Sequence, residues 1–258
     1  MKLIVAYDGT NYCGWQIQDN GITVEETLNK KLSELLNEKI TIIGASRTDS
    51  GVHALGNVAV FDTQSRIPPE KMSFALNQRL PEDIVIRDSC EVPLDWHPRY
   101  QDCSKTYEYK IYNYRFPNPM VRMYSHFVYY PLNVEKMQQA ADILKGEHDF
   151  KSFCSKRGQQ LTTVREIYEL DVTRKEDMIT IHIRGNGFLY NMVRIIAGTL
   201  IKVGLGVYPP DYVQEILQGL DRNLAGPKAP ACGLTLLGIQ YGENSRKIVS
   251  SIFENVLK

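Results

Sequence analysis

The pattern of apolar and polar residues changes period several times in the first hundred residues. The run KLIVAYDG is typical of a strand, and Thr23 followed by Glu26 is a capping pattern that opens a helix with apolar residues at helical spacing up to Leu36. TIIGA and NVAVFD predict strands on either side of a polar loop, SRTDSGVHALG. KMSFALNQRL then predicts a short helix and IVIRDSCEV a strand. The predicted order is β-α-β-β-α-β.

The remaining residues repeat this order. KTYEYKIYN is a predicted strand, Asn133 can cap a helix over residues 134–145, and Gly146 suits the left-handed end of that helix. YELDVTR and MITIHIRG alternate apolar and polar residues as paired strands, with KED as the turn between them. GFLYNMVRIIAGTLIKVG predicts a long apolar helix, and GLTLLGIQY a final strand.

The repeated order predicts an α+β protein made of two ferredoxin-like (βαββαβ) halves, residues 1–100 and 101–243, followed by an amphipathic C-terminal tail over 244–258. Such a sheet buries one face under its helices and leaves the other face free. The two sheets can therefore join edge to edge into one extended mixed, mainly antiparallel sheet. We expect helices on one face of this sheet and a central cleft on the other.

Composition restricts the class of protein but leaves its partner open. Lys plus Arg equals Asp plus Glu at 30 each, which argues weakly against a nucleic-acid partner unless basic residues gather locally. Five scattered cysteines favour reduced thiols in a cytoplasmic protein over a disulfide framework or a zinc site. The N-terminal apolar run is too brief for a signal peptide. No segment approaches the roughly 18 apolar residues of a membrane span, so we expect no membrane partner.

Candidate chemistry is concentrated in the loop 44–54, which lies between two predicted strands. It places Arg47, Asp49 and His53 between glycines, which permit unusual backbone angles and close approach of a ligand. The same composition is common in hairpin turns, where Asp49 and Ser50 would bind their own backbone. The residues alone leave an active site and an ordinary turn equally open.

This loop resembles the active-site motif of the TruA family of tRNA pseudouridine synthases, which is close to G-A-G-R-T-D-x-G-V-H-A. Segments similar to the family follow in the family's order over residues 3–241: YDGT, GWQ, SKTYEY, IYN, Phe188, MVR with Gly198, APA, and Gly233 with Leu234. Two positions depart from the pattern, since Ser46 stands where the family often has Gly and Asn57 where Gln is usual. We expect them to affect the choice of RNA and not the chemistry.

The resemblance implies that the chain isomerises uridine to pseudouridine in tRNA, at positions 38 to 40 of the anticodon stem-loop, without a cofactor or metal. The sequence agrees in having no Walker loop and no metal-ligand cluster. Asp49 takes the position of the catalytic carboxylate, as nucleophile or base, and Tyr107 that of the aromatic residue expected to stack on the uracil. Arg194 takes the position of the cation that keeps the carboxylate ionised.

Arg194 also has a local signature. It stands between apolar neighbours in MVRII, where an unpaired guanidinium would be costly, so we expect it to have a buried partner. We name Asp49 as that partner and expect a planar, two-pronged contact, which lysine could not supply.

Other residues take RNA-contacting positions by resemblance. Arg47 is expected to fill the space left by the displaced base, and Phe188 and Leu234 to form apolar walls of a central RNA-binding cleft. His53 and the connector between the halves would also touch the RNA; the connector residues are Trp96, His97, Arg99 and Tyr100. A basic group of Lys151, Lys156, Arg157 and Arg165 is a further candidate, although such runs are mostly solvated surface. By resemblance, the chain is a homodimer with one tRNA spanning both subunits.

Two other classes of protein remain as alternatives. A non-catalytic RNA-binding protein with RRM-like halves would need exposed aromatic residues on a central strand, which Tyr107 and Tyr109 partly supply. A glycoside hydrolase or nucleosidase would need two carboxylates at a set separation. The sequence offers no convincing second carboxylate beside Asp49.

Overall fold

The structure is a computed structural model that describes residues 1–155 and 162–242. The predicted tail over 244–258, and Lys156 and Arg157 of the basic group, lie outside this range. The described helices are α1 (Val24–Leu36), α2 (Met72–Asn77), α3 (Val134–Ile143), α4 (Met192–Gly204) and α5 (Tyr212–Gly219). The described strands are β1 (Lys2–Tyr7), β2 (Ile43–Gly44), β3 (His53–Val60), β4 (Ile84–Cys90), β5 (Cys103–Asn113), β6 (His126–Val128), β7 (Gly146–Asp149), β8 (Val164–Lys175), β9 (Met178–Gly185) and β10 (Leu234–Tyr241).

The described strands form one sheet in the order β4-β1-β3-β10-β5-β9-β8-β7, with β2 paired to β3 and β6 paired to β5. Neighbouring strands are antiparallel except at β10–β3 and β5–β6, where they are parallel. The prediction of an α+β protein with one extended, mixed and mainly antiparallel sheet is confirmed. Within the described ranges, no helix is long and apolar enough to cross a membrane.

The short strand β2 creates the junction at the middle of the sheet. It has two residues and occupies one end of an edge of β3, with Ile43 opposite Val60. The other end of that edge is therefore free to pair with β10, where His53 lies opposite Thr235. The loop that connects β2 to β3, residues 45–52, consequently lies where the first and second halves of the sheet meet.

Several predicted boundaries of helices and strands are confirmed. Others are wrong because strand pairing or backbone conformation sets the boundary. The Thr23 hydroxyl accepts a hydrogen bond from the Glu26 amide at 3.3 Å, so the predicted helix cap is confirmed. The predicted polar loop is too long, because His53–Gly56 belongs to β3 and pairs with β1 and β10. The predicted helix from Gly187 begins at Met192, since Asn191 has a left-handed backbone with φ of 62°. The strands β6 and β7 and the helix α5 were not predicted.

Helix α4 forms the centre of the second half of the core. Twelve of its residues, Arg194 among them, are buried. The segment 226–229 lies directly on this helix: the Gly226 amide donates to the Thr199 hydroxyl at 2.9 Å, and the Ala229 amide to the Arg194 carbonyl at 3.0 Å. This approach requires a glycine in the helix, because a Cβ at Gly198 would lie 1.8 Å from the Pro227 carbonyl oxygen.

We expect Gly198→Ala to lower the free energy of unfolding by roughly 3 kcal/mol, since a backbone carbonyl must move to admit the methyl group. Chemical denaturation measures this change. Gly187→Ala is the matched control, because its Cβ would meet its nearest atom, Arg165 Nε, at 3.7 Å, an ordinary contact. Equal stability of the two variants would show that segment 226–229 is not packed against α4 as described.

Candidate active site

A cleft of about 1010 Å³ opens at the junction of the two halves of the sheet. Its walls come from the loop 45–52, from β5, from the start of α4 and from the start of β10. The lining includes several residues predicted for the site: Arg47, Asp49, Arg99, Tyr107, Phe188, Arg194 and Leu234. The short β2 and the β3–β10 pairing therefore bring these distant segments to one place.

Asp49 and Arg194, which are 145 residues apart in the chain, form an ion pair in this cleft. Arg194 Nη1 lies 2.9 Å from Asp49 Oδ2, and the two side chains are 9% and 22% exposed. The expected two-pronged contact is not present. Arg194 instead donates to Asp49 through Nη1 alone, while its Nε donates to the Ala229 carbonyl at 2.8 Å. The guanidinium thus joins the loop 45–52 to segment 226–229, which explains its orientation without a bidentate contact.

The N-terminal end of α4 supports this arginine. The side-chain oxygen Oδ1 of Asn191, the residue that precedes the helix, lies 3.4 Å from Arg194 Nη1. The side-chain amide nitrogen Nδ2 of Asn191 in turn donates to the Ser155 hydroxyl at 3.0 Å. Because Arg194 is in the first turn of a buried helix, its position is fixed by packing as well as by its hydrogen bonds.

Tyr107 lies on β5 and is buried in the wall of the cleft. Its ring meets that of Phe188 edge to face, with centroids 5.3 Å apart, and its hydroxyl lies 3.0 Å from Ser46 Oγ. Burial, together with the charge of Asp49, raises the pKa of Tyr107 to about 12, although the Ser46 hydrogen bond lowers it. The phenol is therefore protonated near neutral pH.

The two positions that depart from the family pattern contact each other. The Asn57 side chain donates to the Ser46 carbonyl at 2.9 Å and accepts from the Ser46 amide at 3.2 Å. Asn57 therefore fixes the backbone of the residue whose hydroxyl meets Tyr107. The expectation that these departures affect the choice of RNA stays a prediction.

Lys105 is a cleft residue that the sequence analysis did not single out. Its ammonium donates to the Ala45 carbonyl at 3.0 Å and lies 3.4 Å from Ser46 Oγ. Burial lowers the pKa of Lys105, and the neighbouring charges of Arg99 and Arg165 lower it further, against the opposing effect of Cys103. Alternation along the strand could have identified it, because residues two apart on a strand face the same side and Tyr107 already marked that side.

The cleft concentrates positive charge on a chain that is neutral overall. Its lining contains five cationic residues, Arg47, Arg99, Lys105, Arg194 and Lys228, and one carboxylate, Asp49. A concave surface of one sign focuses the electrostatic field and attracts a polyanion. The neutral composition is therefore compatible with a nucleic-acid ligand.

The connector residues are divided between the cleft and the surface. Arg99 lines the cleft, and its Nε donates to the Gly44 carbonyl at 2.8 Å. Trp96 packs edge-on against Tyr241, with ring centroids 5.0 Å apart. His97 stacks on Tyr100 at 4.0 Å, and Tyr100 is 83% exposed. These three residues are not part of the cleft lining, and neither are the described members of the basic group, Lys151 and Arg165.

His53 is not available as a contact to RNA from the cleft. It is buried at the start of β3, where its Nε2 lies 3.0 Å from the Met123 carbonyl. Its Nδ1 lies 3.0 Å from Asp8 Oδ1, and its ring packs against Tyr124 with centroids 5.1 Å apart. His53 lies outside the cleft lining and joins β3 to Asp8 and to the segment 123–124, and its predicted contact with RNA stays a prediction. His53 belongs to a strand and not to the loop because His53 and Ala54 pair with β10.

Among residues 1–155 and 162–242, no three His, Cys, Asp or Glu side chains lie together as a set of metal ligands. A basic cleft that holds one carboxylate against an arginine is the arrangement expected of an enzyme that acts on a polyanion such as RNA.

Comparison with known proteins gives the family. The tRNA pseudouridine synthase family matches residues 3–101 and 140–242. The chain is 53% identical over 242 residues to tRNA pseudouridine synthase A of Ruminiclostridium cellulolyticum, covering 93% of this chain and 99% of the relative. It is 48% identical over 241 residues to tRNA pseudouridine synthase A of Thermoanaerobacter sp. strain X514, with the same coverage of 93% and 99%. The chain belongs to the tRNA pseudouridine synthase family.

A solved structure, that of a Cbf5-Nop10-Gar1 complex, is also similar. The match covers 92% of this chain and 47% of that chain, with 12% identity and a TM-score of 0.34. A similarity of this size adds nothing to the description of the fold.

We expect Arg194→Lys to reduce the activity of the enzyme about 100-fold, because a lysine cannot hold both Asp49 and the Ala229 carbonyl. Steady-state rates on tRNA measure the loss, and Arg194→Ala should lose at least as much. Arg222→Lys is the matched control, since Arg222 binds the Ala225 carbonyl at 3.2 Å outside the cleft. Near-normal rates for both Arg194 variants would show that the ion pair does not support the reaction.

Proposed function

We propose that this chain converts uridine to pseudouridine in tRNA, with Asp49 as the catalytic carboxylate. The observation that carries the proposal is the ion pair of Asp49 and Arg194 at 2.9 Å inside a basic cleft. Membership of the tRNA pseudouridine synthase family gives the reaction and the class of substrate.

The reaction breaks the bond between ribose C1′ and uracil N1 and forms a bond between C1′ and C5. It has no net redox change, because the same base is detached, turned and rejoined. A carboxylate beside the ribose can attack C1′ as a nucleophile or remove a proton from C2′ as a base. Asp49 can take either role, since both require an ionised carboxylate at the same place.

Arg194 keeps that carboxylate ionised when RNA displaces water from the cleft. Desolvation favours the protonated form of a carboxyl group, and an opposite charge within hydrogen-bonding distance favours the ionised form. The guanidinium remains charged at any relevant pH. Its hydrogen bond to the Ala229 carbonyl holds it in place beside Asp49.

The target base must leave its stack to reach Asp49, at a cost of a few kcal/mol. We infer that Arg47, in the same loop and in the cleft lining, fills the space that the base leaves. Tyr107, Phe188 and Leu234 supply the apolar surface on which the displaced uracil would rest. A protonated phenol at Tyr107 can also take part in proton transfer at C5.

The finer assignments extend this proposal. The strand orders β4-β1-β3-β2 and β10-β5-β9-β8 support two ferredoxin-like halves, residues 1–100 and 101–243, with a central RNA-binding cleft between them. We infer that the targets are uridines 38 to 40 of the anticodon stem-loop, and that the enzyme is a cytoplasmic homodimer with one tRNA spanning both subunits. Exposed Tyr100 and the connector residues Trp96, His97 and Arg99 are proposed as contacts to the RNA.

The alternative classes explain less of the cleft. A non-catalytic RNA-binding protein would not require a carboxylate inside a basic cleft, where it repels phosphate. A glycoside hydrolase would need a second carboxylate. Among the described residues that line the cleft, Asp49 is the single residue with a carboxylate side chain.

We expect Asp49→Ala to lower the rate of pseudouridine formation by roughly a thousandfold or more, with tRNA binding retained, because the variant lacks the group that acts at the ribose. Unmodified tRNA is incubated with the enzyme, and pseudouridine is detected by its reaction with carbodiimide. Asp142→Ala is the matched control, since Asp142 pairs with Lys145 on the surface. Equal activity of Asp49→Ala would remove the assignment, and release of free uracil would favour a nucleosidase.

We expect the modified uridines to map to positions 38 to 40 and to disappear from the tRNA of a deletion strain. Sequencing of carbodiimide-treated tRNA from that strain and from its parent gives the positions. Sedimentation analysis of the purified protein tests the homodimer independently. Modification at other positions with a normal dimer would change the substrate assignment alone.

A further inference from the structure

We propose that Arg99 and Lys105 together bind one phosphodiester group of the RNA strand that carries the target uridine. The proposal deepens the proposed function and rests on it. Both side chains line the cleft, and both are anchored to successive main-chain carbonyls where β2 passes into the loop 45–52. Arg99 Nε donates to the Gly44 carbonyl at 2.8 Å, and Lys105 Nζ donates to the Ala45 carbonyl at 3.0 Å.

Both cations have hydrogen-bond donors that the protein leaves unused. An ammonium has three protons and a guanidinium has five N–H donors, and neither group can accept a hydrogen bond. Lys105 uses two protons, one for the Ala45 carbonyl and one for Ser46 Oγ at 3.4 Å, and Arg99 uses only its Nε. Among the described residues, the third proton of Lys105 and both Nη groups of Arg99 have no hydrogen-bond partner.

The two positive charges lie close together without a counter-charge. Neither Arg99 nor Lys105 forms an ion pair with a carboxylate in the part of the chain that the structure describes. Burial lowers the pKa of both groups, and a neighbouring arginine lowers each further: Arg47 acts on Arg99, and Arg99 acts on Lys105. Glu25 opposes this effect at Arg99, but its carboxylate is bound by the Ile17 amide at 2.9 Å. An anion between the two cations would relieve their repulsion.

A phosphodiester group is the anion that an RNA ligand brings into the cleft. A guanidinium can bind both of its non-bridging oxygens through parallel N–H groups, and an ammonium adds a compact point charge. Phosphate contacts fix the position of a nucleic-acid strand without reading its sequence. Because Arg99, Lys105 and Asp49 line the same cleft, a phosphate held by the two cations would fix the strand whose ribose meets Asp49.

The salt dependence of tRNA binding tests the proposal. Each phosphate contact releases counterions, so the loss of one contact reduces the slope of log K against log salt by about 0.7 to 0.9. The Arg99→Gln, Lys105→Gln double variant should lose one contact in total and bind tRNA on the order of 10-fold more weakly. Each single variant should lose less, because the remaining cation still holds the shared phosphate. Binding is measured in the Asp49→Ala background, so that no product forms during the titration.

Two results of this titration would overturn the proposal. An unchanged slope in the double variant would show that the cations meet no phosphate, and a slope reduced by two contacts would show that they bind separate phosphates. Arg99→Lys and Lys105→Arg separate charge from support of the loop, because they keep the cation and alter its contact to the carbonyl. Their slopes should stay near that of the parent, whereas slopes as low as those of the Gln variants would show that the charges themselves do not bind the RNA.

Lys110→Gln is the matched control, because Lys110 is on the same strand as Lys105 but faces the other side of the sheet. Its Nζ lies 3.6 Å from the Glu108 carboxylate, outside the cleft lining, so the slope should not change. The outcomes separate the two levels of the proposal. A folded wild-type protein that forms no pseudouridine in tRNA would refute the proposed function. An active enzyme whose double variant keeps the full slope would refute this inference alone.

Discussion

The rest of the site depends on one constraint: a single carboxylate must be held in place inside a cleft whose lining includes five cationic residues. Asp49 meets this requirement through Arg194, at 2.9 Å. Asp49 lies in the loop before β3 and Arg194 in helix α4, so the pair depends on the docking of two distant segments, and the pairing of β3 with β10 joins the parts of the sheet next to them. The arginine has a second partner, the Ala229 carbonyl, and this contact depends on the close approach of segment 226–229 to Gly198 in α4. Fold and ion pair therefore stabilise one another.

The distribution of charge follows from the same constraint. A chain with equal numbers of acidic and basic residues holds five cations and one carboxylate in its cleft. Attraction for a polyanion comes from this local excess of positive charge, and the rest of the chain carries the excess of acidic residues that brings the net charge to zero. Two of these cations contact other groups of the site: Arg194 pairs with Asp49 at 2.9 Å, and Lys105 lies 3.4 Å from Ser46 Oγ.

Much of the fold could be predicted because its signals are local. Thr23 caps α1 as its spacing with Glu26 indicates, and the Glu176–Asp177 turn joins two strands whose alternation is plain in the sequence. The missed elements are those with weak local signals. β6 has three residues and is defined by pairing with β5. The start of α4 is set by a left-handed Asn191, which an apolar run does not reveal.

The sequence by itself determined the order of the elements other than β6, β7 and α5, the loop that carries Asp49, and the family to which the motifs are similar, because each depends on residue types and spacing along a short stretch. Tertiary structure alone decided which atoms meet. It gave Arg194 one contact to Asp49 and one to Ala229 in place of a two-pronged pair. It also buried His53 and joined Lys105 and Ser46 to Tyr107. The physical reason is that these contacts depend on strand register and on the docking of distant segments, and neither is encoded by a local pattern.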